Sequence, residues 1–161
     1  IGIGEAGARM ATLVARRFSV VTTLSVSVPI LQDNLERAGL APLCVSVRAS
    51  ELPVLALEAD PKAANAKISE EIARAIDEDG AIVLCCAGMA DFAASLSARH
   101  GVPVIEGVAS AVKLMEAAVT LGLKTAKRGG YAMPGPKHQG FVYPEGMMVH
   151  PEPLPDAEPA E

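Results

Sequence analysis

Tryptophan is absent from this chain, and only two tyrosines and three phenylalanines bring the aromatic share to 3% of 161 residues. With half of the chain hydrophobic, Ala, Val, Leu and Ile must fill the core of what its length predicts to be one ordinary domain. The scarcity of aromatics removes base-stacking surfaces. A formal net charge of −5 without a basic cluster removes phosphate-neutralising ones. Together these exclude a nucleic-acid partner. No apolar run approaches the ~20 residues that span a bilayer, and the first ten residues lack the charged start and apolar middle of a signal peptide, so no membrane association is expected. Three cysteines give neither a disulfide framework nor zinc spacing, which points to a reducing, cytoplasmic compartment. His100, His138 and His150 are scattered, so no metal site is expected, and no Ser-His-Asp or Cys-His arrangement stands out.

What is present is alternation. Glu5 to Ala15 has helical composition, closed by Arg16 and Arg17 where the helix dipole favours positive charge. Phe18 to Thr23 reads as a strand. A helix follows from Pro29 to about Ala38, ended by Gly39. Leu43 to Arg48 is the next strand, and Leu52 to Leu57, interrupted by Pro53, reads as a loop or short helical turn. Asp60-Pro61 opens a helix as cap and first-turn proline, with Ile68, Ile72 and Ile76 on one face. Ala81 to Cys86 is a β-branched, leucine-rich run suited to a buried parallel strand. Ala90 to Arg99 is helical, Val102 to Ile105 a strand, and Val108 to Leu121 a last helix stopped by Gly122. The order predicts an α/β fold, a mostly parallel sheet with helices on both faces. Beyond Gly129 the pattern gives way to Pro134, Pro136, Pro144, Pro151, Pro153, Pro155 and Pro159 with an acidic end, the composition of an extended or disordered tail. At the other end, Ile1-Gly2-Ile3-Gly4 reads as the tail of a strand whose beginning is absent. This predicts a piece of a longer protein, with a processed or engineered start as the alternative.

Several motifs carry two readings. Gly2-Ile3-Gly4-Glu5-Ala6-Gly7 matches G-x-G-x-x-G, but the Val20 to Val28 region has no carboxylate for a ribose, so helix-start glycines fit better than a dinucleotide site. Lys113 suits a solvated or snorkelling lysine better than a Schiff base. Thr22 and Thr23, at the carboxyl end of a strand, suit either a substrate carbonyl or an ordinary loop. Cys44 inside a strand fits a small buried hydrophobe. Cys85 and Cys86 point to opposite sides if the strand persists, so at most one reaches a cleft. Cys86 lies at a strand-to-helix corner, where open sheets place ligands and helix amides favour a thiolate. A buried structural thiol is the other reading of the same pattern.

Arg17 to Leu24, Ala81 to Asp91 and Gly101 to Val108, supported by Cys44 to Ala49 and Pro53 to Glu58, resemble the hydantoin and allantoin racemases of the aspartate/glutamate racemase superfamily. The resemblance covers Ile1 to about Tyr131. It implies two α/β lobes facing each other across a cleft, each contributing a cysteine, with this chain carrying one of them. Residues 1–17 would be a crossover strand end and helix, 18–107 the second lobe, 108–132 a helix returning toward the first lobe, and 133–161 the tail. It further implies cofactor-independent racemisation of 5-monosubstituted hydantoins or allantoin and a homo-oligomeric assembly. Cys86 would be one acid/base group, and Thr22, Thr23, Ala87 and Gly88 would bind substrate. Two departures stand out. Cys85 replaces a family glycine, and the Cys-Phe-Gly-Asp-like segment that holds the other cysteine is not in this sequence. The competing expectations are a non-catalytic binding or assembly fragment and another racemase or a decarboxylase of the superfamily.

Overall fold

The computed structural model describes residues 1–77, 80–132 and 134. Residues 1–124 form one compact unit; in the second, residues 125–161, Gly129–Tyr131 is a single 3₁₀ turn. Apart from Pro134, the predicted 133–161 tail lies outside the described residues.

The first unit holds strands β1 (Arg17–Thr22), β2 (Cys44–Ala49), β3 (Gly80–Leu84) and β4 (Val104–Glu106). Its helices are α1 (Ile3–Val14), α2 (Val28–Arg37), α3 (Val54–Ala59), α4 (Pro61–Ala75), α5 (Ala93–His100) and α6 (Gly107–Thr120). All strand pairs are parallel in the order β2-β1-β3-β4. The predicted α/β class with helices on both faces is what the chain adopts. On one face Val21, Ile82, Leu84 and Val104 pack against Leu57 of α3, Ile68 and Ile72 of α4, and Leu96 of α5. On the other, Phe18, Val20, Ala81 and Val83 pack against Ala8 and Ala11 of α1 and Leu35 of α2. Covered on both sides, β3 is a continuous apolar run, as parallel strands are, and β1 buries Ser19 and Thr22 among Phe18, Val20 and Val21. Each large aliphatic side chain fully buried here contributes about 1.5–3 kcal/mol.

Local chemistry sets several boundaries. Asp60 caps α4 as expected, its carboxylate accepting from Ala63 N at 3.0 Å ahead of Pro61. Gly101 ends α5 at φ +68°, a left-handed conformation that other residues rarely take. Other boundaries differ from expectation. Ile3 and Gly4 open α1 and are not a strand tail, and Arg17 begins β1. Ile76 is the extended cap after α4, and with 39% of its surface exposed it leaves the Ile68–Ile72 face. Leu52 to Leu57 contains the start of a true helix, α3, because Pro53 sits at its cap and not in its interior. β3 stops at Leu84. The next residues wind into a 3₁₀ helix, Ala87–Phe92, before α5 begins.

Glycine governs how α1 packs. A β-carbon on Gly7 would lie 2.9 Å from Val83 Cγ1 and 3.5 Å from the Gly107 Cα, and one on Gly107 would strike the Ile3 carbonyl. The backbones of α1 and α6 therefore meet directly. Within the Gly2-Gly4-Gly7 pattern, Gly7 serves this close approach, while Gly4 faces the Cys85 sulfur and a β-carbon on Gly2 would meet nothing within 4 Å.

Candidate active site

A sheet ordered 2-1-3-4 has its switch point between β1 and β3, because the chain leaves those strands toward opposite sides and a crevice opens beyond their carboxyl ends. The segments there are Thr22-Thr23 after β1 and Cys85 to Gly88 after β3. Val21 pairs with Leu84, and Cys85 N donates to Val21 O at 2.9 Å, so the ladder holds one residue beyond β3. The fold thus brings together the loops that the sequence singled out.

The pleat separates the two adjacent thiols. Cys85 packs with the α1–α2 side of the core and Cys86 with the α3–α5 side. Both are half-buried. Burial pushes the Cys85 thiol up to about 11, with the neighbouring Cys86 adding repulsion. Cys85 is therefore a protonated group at neutral pH. Its sulfur also occupies the space beside Gly4, where a β-carbon would come within 2.8 Å of it. This accommodates the side chain at the family's glycine position on the helix-packed side of the strand.

Cys86 adopts extended backbone (φ −143°, ψ 134°) immediately before the 3₁₀ turn, and its carbonyl accepts from Met89 N at 3.0 Å. The Ala87 and Gly88 amides begin that turn, where the helical ladder leaves N–H groups unpaired, and both residues are exposed. Gly88 sits in a tight contact. A β-carbon there would lie 3.0 Å from Leu57 Cδ1 and 4.0 Å from Cys86 Sγ, so a larger residue would crowd the loop beside the thiol.

Thr22 and Thr23 are 2% and 5% exposed. Their carbonyls are held from β2's end: Ser50 N and Oγ donate to Thr22 O at 2.9 and 3.2 Å, and Leu52 N to Thr23 O at 3.1 Å. Glu51, between them, has φ +54° and accepts from Ser25 N at 3.1 Å. A non-glycine residue in this conformation is held there by its surroundings, and here it ties the β1 and β2 loops together. Ser50 and Glu51 had no sequence signal, since neither a left-handed glutamate nor a loop serine forms a pattern. On the far side, Glu106 caps α6, accepting from Val108 N at 2.6 Å and Ala109 N at 2.8 Å. Lys113 is exposed and paired with Glu116 at 2.7 Å. His100 lies away from this edge, 2.7 Å from Ser69 Oγ. Among the described residues, no group of three or more His, Cys, Asp or Glu side chains gathers to hold a metal, and no helix is long and apolar enough to cross a membrane.

A doubly wound parallel sheet with a thiol at the switch point, beyond the carboxyl end of a central strand, defines the class of molecule. Comparison with known proteins makes it specific: the Asp/Glu/Hydantoin racemase family profile matches residues 1–115, and the chain belongs to that family. It is 48% identical over 136 residues to a hydantoin racemase of Rhizobium meliloti, covering 83% of this chain and 56% of that protein. Against a hydantoin racemase of Pseudomonas sp. (strain NS671) the identity is 42% over 139 residues, with 85% and 56% covered. The solved allantoin racemase from Klebsiella pneumoniae superposes with a TM-score of 0.80 at 48% identity, covering 85% of this chain and 57% of that one. The chain spans a little over half the length of these relatives.

Proposed function

We propose that this chain carries one lobe of a cofactor-independent racemase acting on hydantoin-like rings, 5-monosubstituted hydantoins or allantoin, with Cys86 as the acid/base group for one face of the substrate. The observation that carries this reading is the position of Cys86. It is half-buried at the switch-point edge, opposite Thr22-Thr23 and directly before the unpaired amides of Ala87 and Gly88. The names of the relatives supply the substrate class.

The chemistry follows from the substrate. The C5–H bond of a hydantoin is flanked by a carbonyl and a ring nitrogen, so its proton is acidic. Cys86 as thiolate removes that proton from one face, and the bonding electrons move into the carbonyl to give an enolate. The Ala87 and Gly88 amides, with the Thr23 hydroxyl, donate hydrogen bonds to the enolate oxygen, while Thr22, on the Cys85 side of the pleat, holds the loop that carries Thr23. A thiol on the opposite face then delivers a proton to C5 with inverted geometry. In the reverse direction the two sulfurs exchange roles. Cys85 does not serve as that second thiol, because it projects to the other side of the sheet. The second acid belongs to the part of the family fold that this chain does not span. In this reading residues 18–107 form the lobe, and α6 returns from it toward the other half.

In an active protein carrying this lobe, Cys86→Ser lowers racemisation of either enantiomer at least 100-fold, in line with loss of a positioned acid/base group. Loss of optical activity of a 5-substituted hydantoin measures it, and an undiminished rate removes Cys86 from the mechanism. A panel scored for carbon dioxide release separates a racemase from a decarboxylase. A second reading, assembly without catalysis, is favoured by α6, whose Val112, Met115 and Val119 are 49%, 45% and 77% exposed. We infer that this stripe is covered by further polypeptide of the family fold and contributes to a homo-oligomeric assembly. Three free thiols suit a reducing compartment.

A further inference from the structure

On the sheet face opposite Cys86, α1 and α2 stand apart and leave a groove of about 640 Å³, within the size range of small-molecule sites. Its floor is apolar: Val20 from β1 and Leu31 from α2, with the Cys85 thiol beside them. Its rim is polar and carries excess positive charge. Arg9 comes from α1, and Asn34 and Arg37 come from α2. Arg9 donates through Nε and one terminal nitrogen to a single Glu5 oxygen, at 2.8 and 2.6 Å. That leaves further N–H groups on its guanidinium and its charge compensated. Arg37 enters no ion pair among the described residues. Two cations and one carboxylate therefore rim the apolar trough, the paired Arg9 and Glu5 on α1 and Arg37 on α2.

This combination selects a ligand chemistry. A planar guanidinium with an amide beside it matches the two oxygens of a carboxylate. The single excess positive charge, with Glu5 close by, disfavours a dianion. The floor requires an apolar body behind the charged head. We propose that the α1–α2 groove binds a small monocarboxylate, its head on Arg37 and Asn34 and its apolar body on Val20 and Leu31. The site is separate from the one assigned to Cys86, since the sheet lies between them.

The test is a titration of the 161-residue chain with hexanoate, hexylammonium and inorganic phosphate, followed by amide chemical shifts. Hexanoate is expected to give saturable shifts in residues 31–38 and to bind at least tenfold more weakly to Arg37→Ala, with a smaller loss for Asn34→Ala. Cys86→Ser is expected to bind it like the unaltered chain. Arg37 and Asn34 are exposed, so both variants retain the fold. Absence of saturable shifts, equal binding of hexylammonium, tighter binding of phosphate, or unchanged affinity in Arg37→Ala would each overturn the proposal.

Discussion

Adjacent cysteines in one strand have different fates here because the pleat sends them into different surroundings. Cys85 lies against α1 and Gly4, where burial holds its thiol protonated up to about 11. Burial also raises Cys44, opposed more weakly by a backbone hydrogen bond of Ser46. These shifts have a consequence for stability. In the unfolded chain a thiol releases its proton near pH 9, whereas folded Cys85 keeps it until about 11. Across that interval the unfolded state binds fewer protons, so stability falls as pH rises, and below it the native advantage is fully present. Cys85→Ala should flatten part of this decline, with the Cys44 contribution remaining. Urea midpoints between pH 8 and 11 measure it. Equal slopes in the two proteins would show that Cys85 is not held in this way.

At the scale of elements, caps and close contacts decide where helices begin and how they pack. Glu106 occupies two amides at the start of α6 with one carboxylate. Glu106→Ala should therefore cost about 1–2 kcal/mol, at the upper end of cap removals, seen as a lower urea midpoint at unchanged m-value. An unchanged midpoint would mean that water replaces the cap without loss. The cap at Asp60-Pro61 was legible in the sequence because its chemistry is local. The alternation of strands and helices was legible from runs of Val, Ile and Leu, and with it the corner that holds Cys86. Ile76 was not, because helical spacing continues past the point where the chain turns extended. The strand ends two residues before the apolar run does, since Cys85 and Cys86 continue the run while the backbone leaves the ladder after the Cys85 N–Val21 O bond. The Glu51 conformation and the α1–α2 groove depend on residues distant in sequence and left no local trace. Gly88 looked like a turn residue. What the position adds is a tight contact with the Leu57 side chain.

For the whole molecule, the sheet is well covered but α6 is not. Its buried residues are Gly107 and Ser110, while Val112, Met115 and Val119 face outward. An apolar stripe of this kind drives association when left uncovered. The 161-residue chain should therefore sediment as oligomers at micromolar concentration, and Met115→Lys combined with Val119→Lys should return it to monomer. A monomeric unaltered chain would contradict this. The disposition of the thiols bears on how the molecule ages under peroxide. Cys44 opens β2 and Cys85 follows β3, with β1 between them, so they lie roughly 9–10 Å apart across the sheet and near opposite strand ends. Cys85 and Cys86 are neighbours whose Cα atoms, ~3.8 Å apart, are too close for an ordinary bridge. Cys86, one residue further past β3, is likewise separated from Cys44 by the width of β1, so within this chain no disulfide is available to trap a sulfenic acid formed at Cys86. Without a thiol from outside this chain, such damage proceeds to the sulfinic state, and the protection of this sulfur falls to whatever thiols surround it.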